Sequence, residues 1–138
     1  MPEKSSTKKR LTPQQRKELD VTIGFLEGIV RRDPGYVEAL QLLGDDYTRR
    51  GNYESGLEVD ERLAKLRPDD ALVQYNLACS YSLTERFGEA AAALDRALDN
   101  GYRDFAWLAR DPDLKKFRQH DLFKTIQAKM RKLKTKAD

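Results

Sequence analysis

Side chains that commonly carry enzyme chemistry are few in this sequence. His120 is the only histidine and Cys79 the only cysteine among the 138 residues. No cysteine or serine nucleophile stands near His120 in the chain, so we expect this histidine at the surface. Cys79 has no second thiol for a disulfide or a metal knuckle, and we expect it to be a small packing residue. The sequence therefore predicts no catalytic residue.

Adjacent carboxylates occur in ordinary helical contexts. Asp45 and Asp46 are typical of solvated positions on a helix, and Asp69 or Asp70 is expected to cap the helix that follows. The sequence has no glycine-rich phosphate loop, no metal-ligand spacing and no strand pattern. We therefore expect no cofactor and no metal, and we expect that the protein is not an enzyme.

The charge is segregated along the chain. Residues 1–10 carry a net charge of +3 and residues 115–138 one of +7, whereas residues 11–114 carry −7. A basic end can attract nucleic acid, an anionic membrane or an acidic partner, but a solvated basic helix face is the commoner explanation. No apolar run approaches the roughly 20 residues that a spanning helix needs, and residues 1–10 lack the apolar stretch of a secretory signal. These features predict a cytoplasmic protein without a membrane span.

The chain contains an internal repeat of 34 residues. Residues 37–70 and 71–104 align without a gap, and apolar residues recur in each block at three- and four-residue steps. Each block therefore divides into two amphipathic helices, with small residues where the helices approach and aromatic residues in the wider gaps. The aligned pairs are Leu43 with Leu77, Gly44 with Ala78, Tyr47 with Tyr81, Tyr53 with Phe87, and Gly56 with Ala90.

These positions resemble the tetratricopeptide repeat family, whose repeat has the same order of large, small and aromatic residues and ends near a proline. Pro34 and Pro68 stand one period apart, whereas the second block departs with Gln74 and with Gly101 and Tyr102 where Asp-Pro is usual. The resemblance implies an all-α fold, a right-handed α-solenoid of antiparallel helix pairs with about three repeats and a C-terminal capping helix.

The flanks of the two full repeats complete the expected organisation. We expect residues 1–10 to be a flexible basic tail and residues 11–138 to be a single helical domain, with a partial repeat over 11–36 and a capping region over 105–138. Thr12, Pro13 and Gln15 form a helix-start signature with a capping box. The last helix carries an apolar stripe of Leu122, Phe123, Ile126, Met130 and Leu133.

The resemblance also implies a concave groove lined by the first helix of each pair. Counting along the blocks predicts that the groove-lining residues are Glu38, Gln41, Asp45, Thr48, Arg49, Leu72, Tyr75, Asn76, Cys79 and Ser82. Tyr75 would offer an exposed phenol, and Asp45 would repel a carboxylate, so a partner with basic or neutral side chains is favoured. The predicted function is that of an adaptor or scaffold that binds a peptide or protein segment there.

Two alternatives depend on other surfaces. The basic C-terminal helix could bind nucleic acid or an acidic surface, although Phe123 is expected on its buried side and leaves no aromatic platform for bases. Self-assembly to a homo-oligomer is the other alternative, because repeat arrays expose helix faces at both ends. The basic residues of the last helix are Lys124, Lys129, Arg131, Lys132, Lys134 and Lys136.

Overall fold

The structure is a computed structural model that describes residues 10–137. All regular structure in this part of the chain is helical, which confirms the all-α class, and the predicted tail over residues 1–10 lies almost entirely outside it. The helices are α1 (Pro13–Arg32), α2 (Val37–Arg50), α3 (Tyr53–Leu66), α4 (Ala71–Leu83), α5 (Phe87–Asp99), α6 (Phe105–Leu108), a 3-10 helix (Pro112–Leu114), α7 (Lys115–Arg118) and α8 (Phe123–Ala137).

Local sequence signatures set several helix ends. The hydroxyl of Thr12 accepts a hydrogen bond from the backbone N–H of Gln15 at 3.1 Å, and the Gln15 side chain accepts one from the Thr12 N–H at 2.9 Å. The predicted capping box is therefore confirmed. Asp70 caps α4 by accepting hydrogen bonds from the two N–H groups of residues 72 and 73. Gly51 ends α2 with φ of 90°, a left-handed conformation that glycine adopts at no steric cost.

Residues up to Leu66 and residues from Arg67 onward form two compact units. In the first unit α2 packs against both α1 and α3. A side chain at Gly44 would lie 3.1 Å from the Asp60 carboxylate, and one at Gly56 would lie 3.2 Å from the Thr48 hydroxyl. The predicted role of these small residues in close helix approach is confirmed. The single domain predicted over residues 11–138 stays a prediction.

In the second unit α4 and α5 form the equivalent helix pair, with Ala78 and Ala90 fully buried. The 3-10 helix and α7 pack against α4, and α8 packs against α5. Phe123 and Ile126 of α8 are buried, and the ring of Phe117 makes an edge contact with that of Phe123. The second unit thus builds its core from one helix pair and the segments that follow it.

Candidate functional site

The predicted groove residues of α2 lie on its exposed side. Glu38, Gln41, Asp45 and Arg49 are all exposed, as expected. Thr48 is half-buried, and its hydroxyl donates a hydrogen bond to the carbonyl oxygen of Gly44 at 3.1 Å. Four of the five residues predicted on this helix are therefore accessible to a partner, and the fifth is occupied with the helix backbone.

An apolar side chain on the same helix face escaped the sequence prediction. Leu42 is 56% exposed, four residues after Glu38 and three before Asp45, so these three side chains project from neighbouring turns. Its helical spacing from Glu38 could have revealed it. We define the α2 face as Glu38, Gln41, Leu42, Asp45 and Arg49.

Acidic groups dominate the electrostatics of the α2 face. Reduced hydration by neighbouring protein atoms, and secondarily the Asp46 carboxylate, raises the pKa of Asp45. Desolvation likewise raises the pKa of Asp46, against the opposing effect of Arg49, whose guanidinium lies 3.7 Å away. The carboxylates of Asp45 and Asp46 lie close together beside the exposed Leu42. This surface therefore favours a partner in which a cationic group is next to an apolar one.

The equivalent face of α4 is closed. Tyr75 is 3% exposed, Cys79 7% and Ser82 0%, so the prediction that they line an accessible groove is wrong for these three residues. The physical reason is that the 3-10 helix and α7 pack against α4. Only Leu72, which is 57% exposed, and the half-buried Asn76 remain accessible among the residues predicted on this helix.

Buried polar groups join α4 to the segment that covers it. The Tyr75 hydroxyl donates a hydrogen bond to Asp111 Oδ2 at 2.6 Å, and Cys79 Sγ donates to the same oxygen at 3.7 Å. The rings of Tyr75 and Tyr102 stack with centroids 4.2 Å apart. Burial raises the pKa of Tyr75 far above its ordinary value, with the neighbouring Cys79 and Asp111 adding to the effect. The phenol predicted to be exposed is therefore a buried hydrogen-bond donor.

The segment that covers α4, residues 108–118, is stabilised by the side chain of its last residue, Arg118. One guanidinium nitrogen donates to the carbonyl oxygens of Leu108 at 3.0 Å and Asp111 at 2.7 Å. Burial lowers the pKa of Arg118, and the nearby Asp111 opposes that shift. Asp111 also caps the 3-10 helix by accepting from the N–H of Asp113 at 3.0 Å. These bonds hold residues 108–118 in one conformation, and the bond from Tyr75 to Asp111 joins them to α4.

Cys79, Asp111 and Asp113 place three potential metal-ligand atoms within 4.8 Å of one another. A thiolate and carboxylates can bind a divalent ion. However, Asp111 Oδ2 already accepts hydrogen bonds from Tyr75 and Cys79, and metal binding would require the thiol proton to leave. In the structure Asp111 uses these hydrogen bonds to join α4 to the segment that covers it. The expected absence of a metal stays a prediction.

A cleft lies within the first unit, among α1, α2 and α3. This cleft of about 390 Å³ is lined by Tyr47, by two carboxylates and two guanidinium groups, and by apolar side chains of all three helices. The Tyr47 hydroxyl donates a short hydrogen bond to Glu27. Burial, followed by this hydrogen bond, raises the pKa of Tyr47 to about 12. The hydrogen bond thus joins α1 to α2 at one wall of the cleft.

One lysine of the basic helix α8 forms ion pairs with carboxylates of its own unit. Lys129 lies 2.6 Å from a carboxylate oxygen of Asp95 and 2.6 Å from one of Asp99. Phe123 is 8% exposed, which confirms its expected place on the buried side. The expectation that α8 is a weak candidate for nucleic-acid binding stays a prediction.

No family model matches the chain. The chain is 38% identical over 79 residues to a chloroplastic protein of Arabidopsis thaliana, a match that covers 55% of this chain and 24% of that protein. It is 30% identical over 98 residues to the PEX5-related protein of Mus musculus, covering 71% of this chain and 16% of that protein. The PEX5-related protein of Homo sapiens matches at the same identity and length, covering 14% of that protein.

The chain therefore spans between 14% and 24% of the length of these curated relatives. The similarity, together with helices packed in neighbouring pairs within each unit, indicates a tetratricopeptide-like helical repeat. None of the helices within residues 10–137 is long and apolar enough to cross a membrane. The predicted cytoplasmic location stays a prediction.

Proposed function

We propose that this chain is a tetratricopeptide-repeat protein that acts as an adaptor or scaffold and not as an enzyme. In this proposal its α2 face binds a peptide or a protein segment. The partner segment carries an apolar side chain next to a lysine or arginine. Leu42 provides the apolar contact, and the carboxylates of Glu38 and Asp45 attract the cation.

The observation that carries the proposal is the exposure of Leu42 between two acidic residues. Burying an exposed leucine contributes roughly 1.5–3 kcal/mol when it becomes fully covered. The neighbouring carboxylates contribute less to affinity than to selectivity, because a partner carboxylate at the same place would be repelled. An apolar anchor with a charged rim is the usual composition of a peptide-binding surface.

The proposed binding surface excludes Tyr75 and Cys79, because both side chains are buried. A partner cannot reach these side chains unless residues 111–118 leave α4, and that movement would break the hydrogen bonds that Tyr75 and Cys79 donate to Asp111. We therefore assign binding to the α2 face alone. Tyr75→Ala is consequently a test of folding rather than of binding.

The relatives support the class of function more than its details. Similarity to the PEX5-related proteins covers 71% of this chain, and the repeat spacing resembles a family generally used to bind proteins. Because the chain matches only a small part of these proteins, their partners are not transferred. Binding of nucleic acid through α8 is the less supported alternative, since Lys129 is already paired with two carboxylates.

Selection from a random peptide library displayed on phage tests the proposal. We expect wild-type protein to enrich peptides in which an apolar residue adjoins lysine or arginine. Asp45→Lys should abolish that charge preference, and Leu42→Ala should weaken binding of the enriched peptides by roughly tenfold or more.

Leu72→Ala is the matched control, because Leu72 is as exposed as Leu42 but lies on α4. If Leu72→Ala weakens binding as much as Leu42→Ala does, the site is not confined to α2. Failure to enrich any peptide, or enrichment unaffected by both α2 substitutions, would overturn the proposal.

A further inference from the structure

The outer side of α1 exposes two large apolar residues. Val21 is 70% exposed and Phe25 67%, which makes them the most exposed large apolar side chains of the described residues. The opposite side of α1 already supplies the core, through the buried residues Leu19, Ile23, Leu26 and Val30. A surface helix usually keeps its second side polar, so the outer side needs an explanation.

The exposed side has the spacing of a helix-pairing seam. Glu18, Val21, Phe25, Gly28 and Arg32 follow one another at steps of three, four, three and four residues. This alternation places all five along a single line of the helix, as in a coiled-coil stripe. The apolar residues stand at the middle of the stripe and the charged residues at its two ends.

The two glycines of α1 have no packing explanation among the described residues. Among residues 10–137, and apart from the backbone of α1 itself, a methyl group at Gly24 would meet no atom within 4 Å and one at Gly28 would meet only the Arg31 side chain at 3.9 Å. Glycine inside a helix is less stable than alanine by about 1 kcal/mol per residue, so two of them destabilise α1 without a compensating internal contact. Gly28 lies in the exposed stripe, where close approach of a second backbone would account for it.

We propose that α1 forms a homodimer interface in which it packs antiparallel against α1 of a second copy. Glu18 and Arg32 each stand seven residues from Phe25, on opposite sides of it along the helix. Antiparallel pairing brings Glu18 of each copy near Arg32 of the other. It also brings the two Phe25 side chains together at the centre and places Val21 of each copy near Gly28 of the other. Parallel pairing would place Glu18 against Glu18 and Arg32 against Arg32, which is repulsive.

The pattern is self-complementary, as a twofold interface requires. Val21 has Gly28 beside it on the facing helix, where the missing side chain lets the two backbones approach. The 20 residues of α1 extend about 30 Å, so one helix pair buries less than the roughly 1,600 Å² of a standard stable complex. The dimer is accordingly expected to be weak and to depend on protein concentration.

Sedimentation velocity of the full chain, from low micromolar to near-millimolar concentration, tests the proposal. We expect a reversible monomer–dimer equilibrium, which Phe25→Glu weakens at least about tenfold. Glu18→Arg should weaken it as well, because it places like charges together. The double variant Glu18→Arg with Arg32→Glu should restore association toward the wild-type level.

Leu72→Glu is the matched control, since Leu72 is also highly exposed but lies on α4. Circular dichroism establishes that each variant remains helical. A wild-type chain that stays monomeric over the whole range would overturn the proposal, as would a dimer insensitive to Phe25→Glu. If Glu18→Arg alone weakens the dimer and the charge swap does not restore it, the antiparallel arrangement is wrong.

Discussion

The α2 face and the equivalent face of α4 stand one repeat period apart, yet one is accessible and the other is covered. Asp45 on α2 is exposed, whereas Cys79, its counterpart 34 residues later, is 7% exposed. The difference arises because residues 111–118 pack on α4. Repeat spacing therefore defines which side chains share a helix face, while the segments that follow a repeat decide whether that face can bind a partner.

The largest expected effect comes from removing the core of the covering segment. Phe117→Ala should lower the free energy of unfolding by about 3–5 kcal/mol, because Phe117 is fully buried and contacts the rings of Phe87 and Phe123. Urea denaturation measures this change. Leu42→Ala on the exposed α2 face should change stability by no more than about 0.5 kcal/mol. Similar losses for the two variants would contradict the contrast between the faces.

An alkaline titration examines the half-buried contact between Tyr47 and Glu27 in the first unit. Tyr47 has its pKa raised to about 12, so the folded state retains a proton that the unfolded chain releases above about pH 10. Stability from this group is fully present below about pH 10 and falls as the pH rises toward 12, by about 2–3 kcal/mol. Tyr47→Phe should flatten the fall measured by urea denaturation. Equal slopes in the variant and the wild type would show that Tyr47 does not cause it.

The hydrogen bond from Tyr75 to Asp111 provides the corresponding test in the second unit. Asp111→Ala should destabilise the protein by about 1–3 kcal/mol, because the buried Tyr75 hydroxyl loses its acceptor. Tyr75→Phe combined with Asp111→Ala should lose less than the sum of the two single variants. The covering segment should also loosen, so Cys79 should react faster with a thiol reagent in Asp111→Ala. An unchanged rate would mean that Asp111 does not hold the face closed.

The smallest expected effect concerns the ion pairs that link α8 to α5. Lys129→Met should lower the free energy of unfolding by about 0.2–1 kcal/mol, since Lys129 contacts Asp95 and Asp99 near the surface. The loss should shrink in high salt, which screens the wild-type pairs. Thermal unfolding at low and high salt measures it. A loss that is independent of salt would point to packing of the lysine stem instead.

Much of the fold could be predicted because its causes are local. Thr12 with Gln15, Asp70 and Gly51 mark helix ends through contacts within a few residues. Gly44 and Gly56 indicate where α2 and α3 approach each other closely, because only small residues fit between the two helix backbones. The exposure of Leu42 also follows from helical spacing, once Glu38 and Asp45 are placed on the same face.

The burial of Tyr75, Cys79 and Ser82 could not be predicted in the same way. Their spacing places them on one side of α4, and that much was correct. What covers this side is set by Asp111, whose bond to Tyr75 joins residues 36 positions apart. Repeat spacing cannot predict this contact, because Tyr75 belongs to the repeat and Asp111 lies outside it.

The sequence by itself determined the helices of residues 10–137, their pairing and the residues that share each face, since these follow from steps of three and four residues and from local capping. Only the tertiary structure decided that the α2 face is accessible and the α4 face is not. Burial depends on which distant segment fills the neighbouring space. Here Arg118 holds residues 108–118 in one conformation, and the bond from Tyr75 to Asp111 joins that segment to α4.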